Sequence, residues 1–248
     1  MQAISVYFFL SFFFFSSVRL SFELWLVLPF LISIGIKCIY IYIYVVNILY
    51  RDHALCKLQE EGFTREDIAN KLKTIPFSIE MRNVVLDLKQ RNVPIILMSD
   101  ANTFYIETIL QAYGVRDCIT EIITNPSYTD EQGRLRVRRH ILTTDQQHQC
   151  QNPCSLNICK GQELDQVIHR YQQQGHIVEK IAYTGDGKND FCPATRLRQT
   201  DTFFIRKEKG LDRYLDLVPE QKLRLQSQLV YWLKPETVWE SMPKYFSL

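Results

Sequence analysis

Ile95-Ile96-Leu97-Met98 is an unbroken apolar run, entered from the turn Asn92-Val93-Pro94 and left at the polar Ser99-Asp100-Ala101-Asn102. A strand-length run without alternation has no solvent face. It suits a strand covered on both sides, as in a parallel sheet flanked by helices. Helical spacing brackets it: Met81, Val84, Val85 and Leu88 lie before it, and Ile106, Ile109, Leu110 and Tyr113 after it, the second helix stopping at Gly114. Two short helices over residues 51–61 and 64–73 precede these, with Thr64 and Asp67 spaced as a capping box. The alternation continues beyond, with strands over residues 119–124, 180–184 and 202–205, an edge strand over 229–233, and a helix over 161–174 carrying Leu164, Val167, Ile168 and Tyr171. Residues 126–139 are polar around Asp130-Glu131-Gln132-Gly133 and predict an exposed hairpin, and residues 148–159 predict an irregular cysteine-bearing loop. The pattern predicts an α/β fold on a Rossmann-like parallel sheet. In such sheets ligands sit beyond the carboxyl ends of strands, where Ser99 and Asp186 fall.

Charge divides the chain. Residues 1–50 hold only Arg19, Glu23 and Lys37 as charged side chains, and the break near Tyr50 and Arg51 is the clearest boundary. The expected organisation is an apolar segment over 1–50, two cap-like helices over 51–77 and an α/β core over 78–240. A signal peptide fits the apolar segment poorly, because no basic region precedes its first apolar run. A membrane helix within residues 20–46 would carry Lys37 at a cost of about 2.5–3.5 kcal/mol, which its apolar neighbours could offset. Residues 39–46, Ile-Tyr-Ile-Tyr-Ile-Tyr-Val-Val, also suit a buried strand. A blander reading is translation of non-coding DNA, since a TA repeat encodes Ile-Tyr runs and a pyrimidine tract encodes Phe and Ser. The net charge of +2 offers nothing toward a nucleic-acid surface. Seven cysteines, an odd number in a chain of 248 residues, do not make a disulfide framework. A reducing, cytoplasmic setting is the default for the core, and a membrane-associated one applies if residues 1–50 are truly translated.

The loop Gly185-Asp186-Gly187-Lys188-Asn189-Asp190 follows the strand at 180–184. Its carboxylates can gather a hard cation such as Mg2+, although Gly, Asn and Asp are equally the residues of an ordinary turn. Lys160 opens a helix, where a cation and free backbone N–H groups both favour an anion. A hydroxyl, a lysine and a carboxylate pair are the parts needed to hold a phosphoryl group. In this order and at these element boundaries they resemble the haloacid dehalogenase superfamily of phosphatases: Ser99 matches its second motif, Lys160 its third, and Asp186 with Asp190 its fourth. The runs Met98-Ser99-Asp100-Ala101-Asn102-Thr103-Phe104, Thr124-Asn125-Pro126, Asn157-Ile158-Cys159-Lys160 and Gly185 through Pro193 narrow the resemblance to the phosphoethanolamine/phosphocholine phosphatase and pyridoxal phosphate phosphatase family, over about residues 51–235.

The resemblance implies a Mg2+-dependent phosphatase of a small phosphomonoester acting through an aspartyl-phosphate. Asp186 would ligate Mg2+, with Asp190 orienting a metal-bound water. Ser99 and Lys160 would grip the phosphate, and Asp100 and Asn102 would shape its rim. The family also carries a cysteine-rich loop before its lysine. Here it reads His148-Gln149-Cys150-Gln151-Asn152-Pro153-Cys154, then Cys159, at spacings looser than a CxxC pair. Both a zinc site and unpaired thiols packed beside the active site fit that loop.

One part is missing. The family's Asp-x-Asp-x-Thr/Val loop, which ends the first strand and supplies nucleophile and general acid, occurs nowhere in the chain. Asp52 stands alone, and Asn47 is no nucleophile. The run at 39–46 is the expected occupant of the vacant central strand. Two functions follow. One is a phosphatase, weak or inactive in this sequence, whose complete form carries the missing motif. The other is a non-catalytic, membrane-tethered relic that keeps a phosphate or metal pocket.

Overall fold

The structure, a computed structural model, describes residues 5–11 and 48–245. In chain order its main elements are β1 (Ser5–Ser11), α1 (Ile48–Glu60), α2 (Arg65–Lys73), α3 (Ile79–Gln90), β2 (Ile95–Asn102), α4 (Thr103–Ala112), β3 (Glu121–Asn125), β4 (Ser127–Thr129), β5 (Leu135–Val137), α5 (Lys160–Gln173), β6 (Val178–Gly185), α6 (Phe191–Ala194), β7 (Thr202–Arg206), α7 (Gly210–Leu217), β8 (Gln228–Trp232) and α8 (Pro235–Tyr245). The main sheet is six-stranded in the order β3-β2-β1-β6-β7-β8, and every pairing in it is parallel. β4 and β5 form the predicted antiparallel hairpin.

Both faces of the sheet are covered, as the unbroken apolar runs require. Ile95 and Leu97 of β2, Ala182 of β6 and Phe204 of β7 point into one cluster, shared with α1 to α4 and α8. Ile96 and Met98, Ile181 and Tyr183, and Phe203 and Ile205 point into the other, with Leu164 and Val167 of α5 and Leu211 and Leu215 of α7. Successive side chains on a strand face opposite ways, so each run feeds two cores.

The central strand is a correction. Ser5–Ser11 lies between β2 and β6, with Leu10 opposite Thr184 and Ser11 opposite Met98. The expected occupant, 39–46, lies outside the described residues. A short apolar run of either kind can fill a slot buried on both faces, and composition does not rank them. The possible membrane span at 20–46 also lies outside the described residues. Among those described, no helix is long and apolar enough to cross a membrane.

The helices after β1 pack onto the α/β core. Leu55 and Leu58 of α1 and Ile68 and Leu72 of α2 join Ile106 and Ile109 of α4 in one cluster. Thr64 and Asp67 form the predicted capping box of α2. Asp52, which belongs to no Asp-x-Asp motif, has a structural role. Its carboxylate accepts Arg136 Nε at 2.9 Å and Nη2 at 2.5 Å, and Val137 N at 2.9 Å. It ties α1 to the hairpin, and Gln59 does the same through both backbone groups of Leu135.

Candidate active site

β2 and β6 flank β1, and their carboxyl ends bring the predicted residues together. Ser99 lies near the end of β2 and is buried, with its Oγ accepting Ala101 N at 3.1 Å. Lys160 is the first residue of α5 and is also buried. Its Nζ donates to Asp190 Oδ1 at 2.7 Å. Burial by itself would lower the Lys160 ammonium, but Asp190, Asp100 and Asp186 outweigh it and hold the group above the ordinary lysine range.

Asp190 is a saturated carboxylate. Oδ1 accepts Lys160 and, at 3.0 Å, the hydroxyl of Tyr183, while Oδ2 accepts the backbone N–H groups of Asp186 at 3.0 Å and Gly187 at 2.9 Å. The loop therefore folds around its own last residue. Gly185 permits this, since a Cβ there would stand 2.6 Å from Asp190 Cβ. A carboxylate with this many donors suits an orienting role better than direct metal ligation.

Asp186 is the opposite case. Among the described residues its carboxylate accepts no hydrogen bond, whereas its carbonyl accepts Leu211 N at 2.9 Å. Burial, then the charge of Asp190, pushes its pKa up to about 7 against the pull of Lys160, Arg206 and Lys209. A desolvated carboxylate lacking donors is what a bound divalent cation relieves, so the residue fits a Mg2+ ligand.

Asp100 and Asn102, expected to shape the rim, lie at the carboxyl end of β2 and carry structural bonds. Asp100 Oδ1 accepts Asn157 Nδ2 at 3.1 Å, and Oδ2 accepts Ser155 Oγ at 2.9 Å and the amide of Asn189. It ties the end of β2 to the loop at Ser155 and Asn157 and to the fourth-motif loop at Asn189, and its negative charge opposes a phosphate. Asn102 is fully buried and caps α4, its Oδ1 accepting Tyr105 N at 3.0 Å. The cap uses Oδ1 alone, and the buried Nδ2 has no hydrogen-bond partner among the described residues.

Several contributors had no role assigned from sequence, although Thr124-Asn125-Pro126 is among the runs that carry the family resemblance. Asn125 is fully buried and donates to Asp100 O at 2.9 Å and Ala101 O at 2.8 Å. Its Oδ1 accepts His140 N and Asn157 Nδ2, each at 3.0 Å. Arg51 Nη1 donates to Asp100 O at 2.8 Å. Tyr183, Arg206 and Lys209 set the surroundings of the fourth-motif carboxylates. The Asn before Pro126 was the one available sign of a backbone-bonding asparagine.

A hydroxyl and a paired aspartate loop at the carboxyl ends of the two parallel strands on either side of β1, with a buried lysine at the start of α5, form the arrangement expected from the haloacid dehalogenase resemblance. Solved structures share the fold: a substrate-bound phosphoserine phosphatase complex aligns at TM-score 0.54 and 13% identity over 96% of this chain and 99% of that chain. A haloacid dehalogenase family hydrolase from Salmonella enterica aligns at 0.53 and 10% over 94% and 70%. The Putative Phosphatase family profile matches residues 44–245, and the chain belongs to that family, one of hydrolases acting on phosphate monoesters. Among curated relatives, a pyridoxal phosphate phosphatase PHOSPHO2 of Rattus norvegicus is 32% identical over 71% of each chain. A thiamine phosphate phosphatase-like protein of Arabidopsis thaliana is 30% identical over 75% of this chain and 74% of the relative. Inorganic pyrophosphatase 1 of Arabidopsis thaliana is 29% identical over 73% of this chain and 60% of that relative.

Proposed function

We propose that the chain is a Mg2+-dependent phosphatase of small phosphomonoesters, of the pyridoxal phosphate, phosphocholine or phosphoethanolamine class, whose turnover is weak or absent in this sequence. The observation that carries the reading is the convergence of Ser99, Lys160 and Asp186 beside the end of a central strand that bears no carboxylate. β1 reads Ser-Val-Tyr-Phe-Phe-Leu-Ser and is followed in sequence by Phe12-Phe13-Phe14-Phe15. Ser11 stands opposite Met98, the residue before Ser99, so the strand points at the site.

In this reading Ser99 donates its hydroxyl, and Lys160 its ammonium, to phosphate oxygens. Asp186 is the cation's protein ligand, and Asp190 fixes both the lysine and the loop. Mg2+, when bound, supplies charge neutralisation and alignment of the phosphate. α1 and α2 are what the chain retains of a substrate-selecting cap. The membrane-tethered alternative gains no supporting observation.

Loss of a covalent nucleophile removes on the order of 10^4 to 10^6 in turnover. The purified chain, assayed with Mg2+ and pyridoxal phosphate, phosphocholine, phosphoethanolamine or p-nitrophenyl phosphate, is expected to hydrolyse each at most that weakly. It should still bind inorganic phosphate in a Mg2+-dependent manner that Asp186→Asn abolishes. Turnover at ordinary enzyme rates would overturn the nucleophile argument. Phosphate binding indifferent to both Mg2+ and Asp186 would overturn the site.

A pH dependence follows from Asp186. Its folded pKa, about 7, lies above the ordinary 3.8. Without a cation, the folded chain therefore holds a proton that the unfolded chain gives up, and this group's stabilising contribution is lost as pH rises between those values. A divalent cation takes the proton's place. Mg2+ at about 100 times its Kd adds roughly 2.7 kcal/mol, several degrees in Tm for a chain of this size. Thermal unfolding should show that rise in full at about pH 8 and much reduced at about pH 5.5. Equal shifts at both pH values, or a shift that survives in Asp186→Asn, would exclude Asp186 as the ligand.

A further inference from the structure

Beside the phosphatase site lies a second cluster of ligating groups. The Sγ atoms of Cys150, Cys154, Cys159 and Cys192 all lie within 4.8 Å of one another. Cys150 to Cys192 is 3.5 Å, Cys150 to Cys154 3.6 Å, Cys154 to Cys159 3.5 Å, and Cys159 to Cys192 3.7 Å. A tetrahedral thiolate site with Zn–S of about 2.3 Å places its sulfurs about 3.8 Å apart. The sulfurs here therefore stand at the spacing of a single enclosed ion. Thiols paired as two disulfides would form two close pairs, not a set of near-equal separations.

We propose that Cys150, Cys154, Cys159 and Cys192 bind one structural Zn2+ ion. Soft sulfur donors in tetrahedral array select zinc over hard cations such as Mg2+. With all four positions taken by protein sulfur, the ion has no open position for substrate or water, which is the structural and not the catalytic arrangement. His148, the other candidate in this loop, is outside the set, with its Nε2 against Ser155 O at 2.8 Å. Cys192 takes the fourth place, from α6.

The surroundings suit a site of excess negative charge. Asn152 Nδ2 donates to Cys192 Sγ at 3.4 Å. The Gln162 backbone N–H donates to Cys159, and the Arg196 guanidinium lies against Cys192 and near Cys150. Outer donors of this kind hold metal-bound thiolates in place. The close approach also explains Gly161, where a Cβ would stand 2.5 Å from Cys192 Sγ.

The loop needs such a clamp. Residues 138–159 contain no regular helix or strand beyond an isolated bridge between Ser155 and Ile158, and only Ile158 and Cys159 of them are buried in the apolar core. A segment of this length without secondary structure is uncommon in a compact domain, and an enclosed ion would anchor it. Cys159 precedes Lys160 directly, and Cys192 lies two residues after Asp190. A zinc ion here would fasten both partners of the Lys160–Asp190 pair to the loop and to each other, making the cysteines positioning residues for the phosphatase site.

The test is metal content of the purified full chain, refolded or expressed with zinc and dialysed against buffer holding Mg2+ alone. One zinc per chain is expected, with an X-ray absorption first shell of sulfur only, at about 2.3 Å. Cys150→Ser and Cys154→Ser, in the half-exposed loop, should weaken zinc binding by more than the roughly 10–100-fold lost with a supporting residue alone. Cys56→Ser and Asp186→Asn should keep it. Should the serine variants aggregate, the wild-type first shell still decides. Overturning results are a folded wild-type chain without zinc, nitrogen or oxygen in the first shell, disulfides mapped among the four cysteines, or zinc lost with Asp186→Asn but kept in the cysteine variants.

Discussion

Replacing Asn125 with alanine is expected to destabilise the chain by about 3–5 kcal/mol, through buried groups each worth about 1–3 kcal/mol when left unpaired. The side chain is fully buried and uses both amide hydrogens and its oxygen. Alanine strands the Ala101 carbonyl, the His140 N–H and one Asn157 contact, while Arg51 still reaches the Asp100 carbonyl. Asn125→Asp should be at least as damaging, because a carboxylate oxygen would then face carbonyl oxygens where an N–H now points. Urea unfolding should show the loss as a lower midpoint at unchanged slope. Thr129→Ala is the control: its hydroxyl meets Arg65 at 3.2 Å on the exposed hairpin, and its removal should stay within about 0.5 kcal/mol. An Asn125→Ala loss below about 1 kcal/mol would mean that water takes over the amide's bonds.

The same residue links stability to the site. Asn125 holds the end of β2, which carries Ser99, to the segment at Asn157 that leads into Lys160. Asp100 repeats the connection from the other side, joining Ser155, Asn157 and Asn189. The polar residues at the strand end thus supply much of the frame around the proposed phosphate ligands Ser99 and Lys160. Asp100 and Asn102 were expected at the rim of the phosphate site; both also carry structural bonds there. A motif fixes which residue types sit at a strand end, while their partners come from loops distant in sequence.

Elsewhere the limits of legibility were similar in kind. β2, β6 and β7 were readable because burial on both faces demands runs without polar interruption, and Ile95 through Met98 admits no other economical fate. The hairpin was readable because Asp130 and Gly133 are turn residues between short runs. β1 was not, since Ser5–Ser11 runs into further phenylalanines without a Gly, Pro, Asn or Asp to mark its end. Cys192 was not joined to the other cysteines because the helix α5 separates them in sequence and returns them in space. Asp186 and Asp190 were recognised as a pair, but their different states depend on backbone N–H groups that turn toward one carboxylate and away from the other.

The second large effect concerns that pair's lysine. Lys160→Ala is expected to cost about 3–5 kcal/mol, the usual consequence of removing one partner of a buried ion pair. Both side chains are almost wholly buried and their contact is 2.7 Å. Asp190 would keep Tyr183 and the two backbone donors but lose its countercharge. Lys160→Met keeps most of the volume and should destabilise nearly as much, which separates charge from packing. Adding Asp190→Asn to Lys160→Met should then recover part of the loss, because a neutral amide oxygen can accept the same backbone bonds without needing a cation. The double-mutant cycle should therefore give a coupling of about 0.5–3 kcal/mol. Independent, additive losses would show that Asp190 is stabilised by its N–H and hydroxyl donors alone. Lys160 would then be kept at this position for the phosphate it faces, and not for the fold.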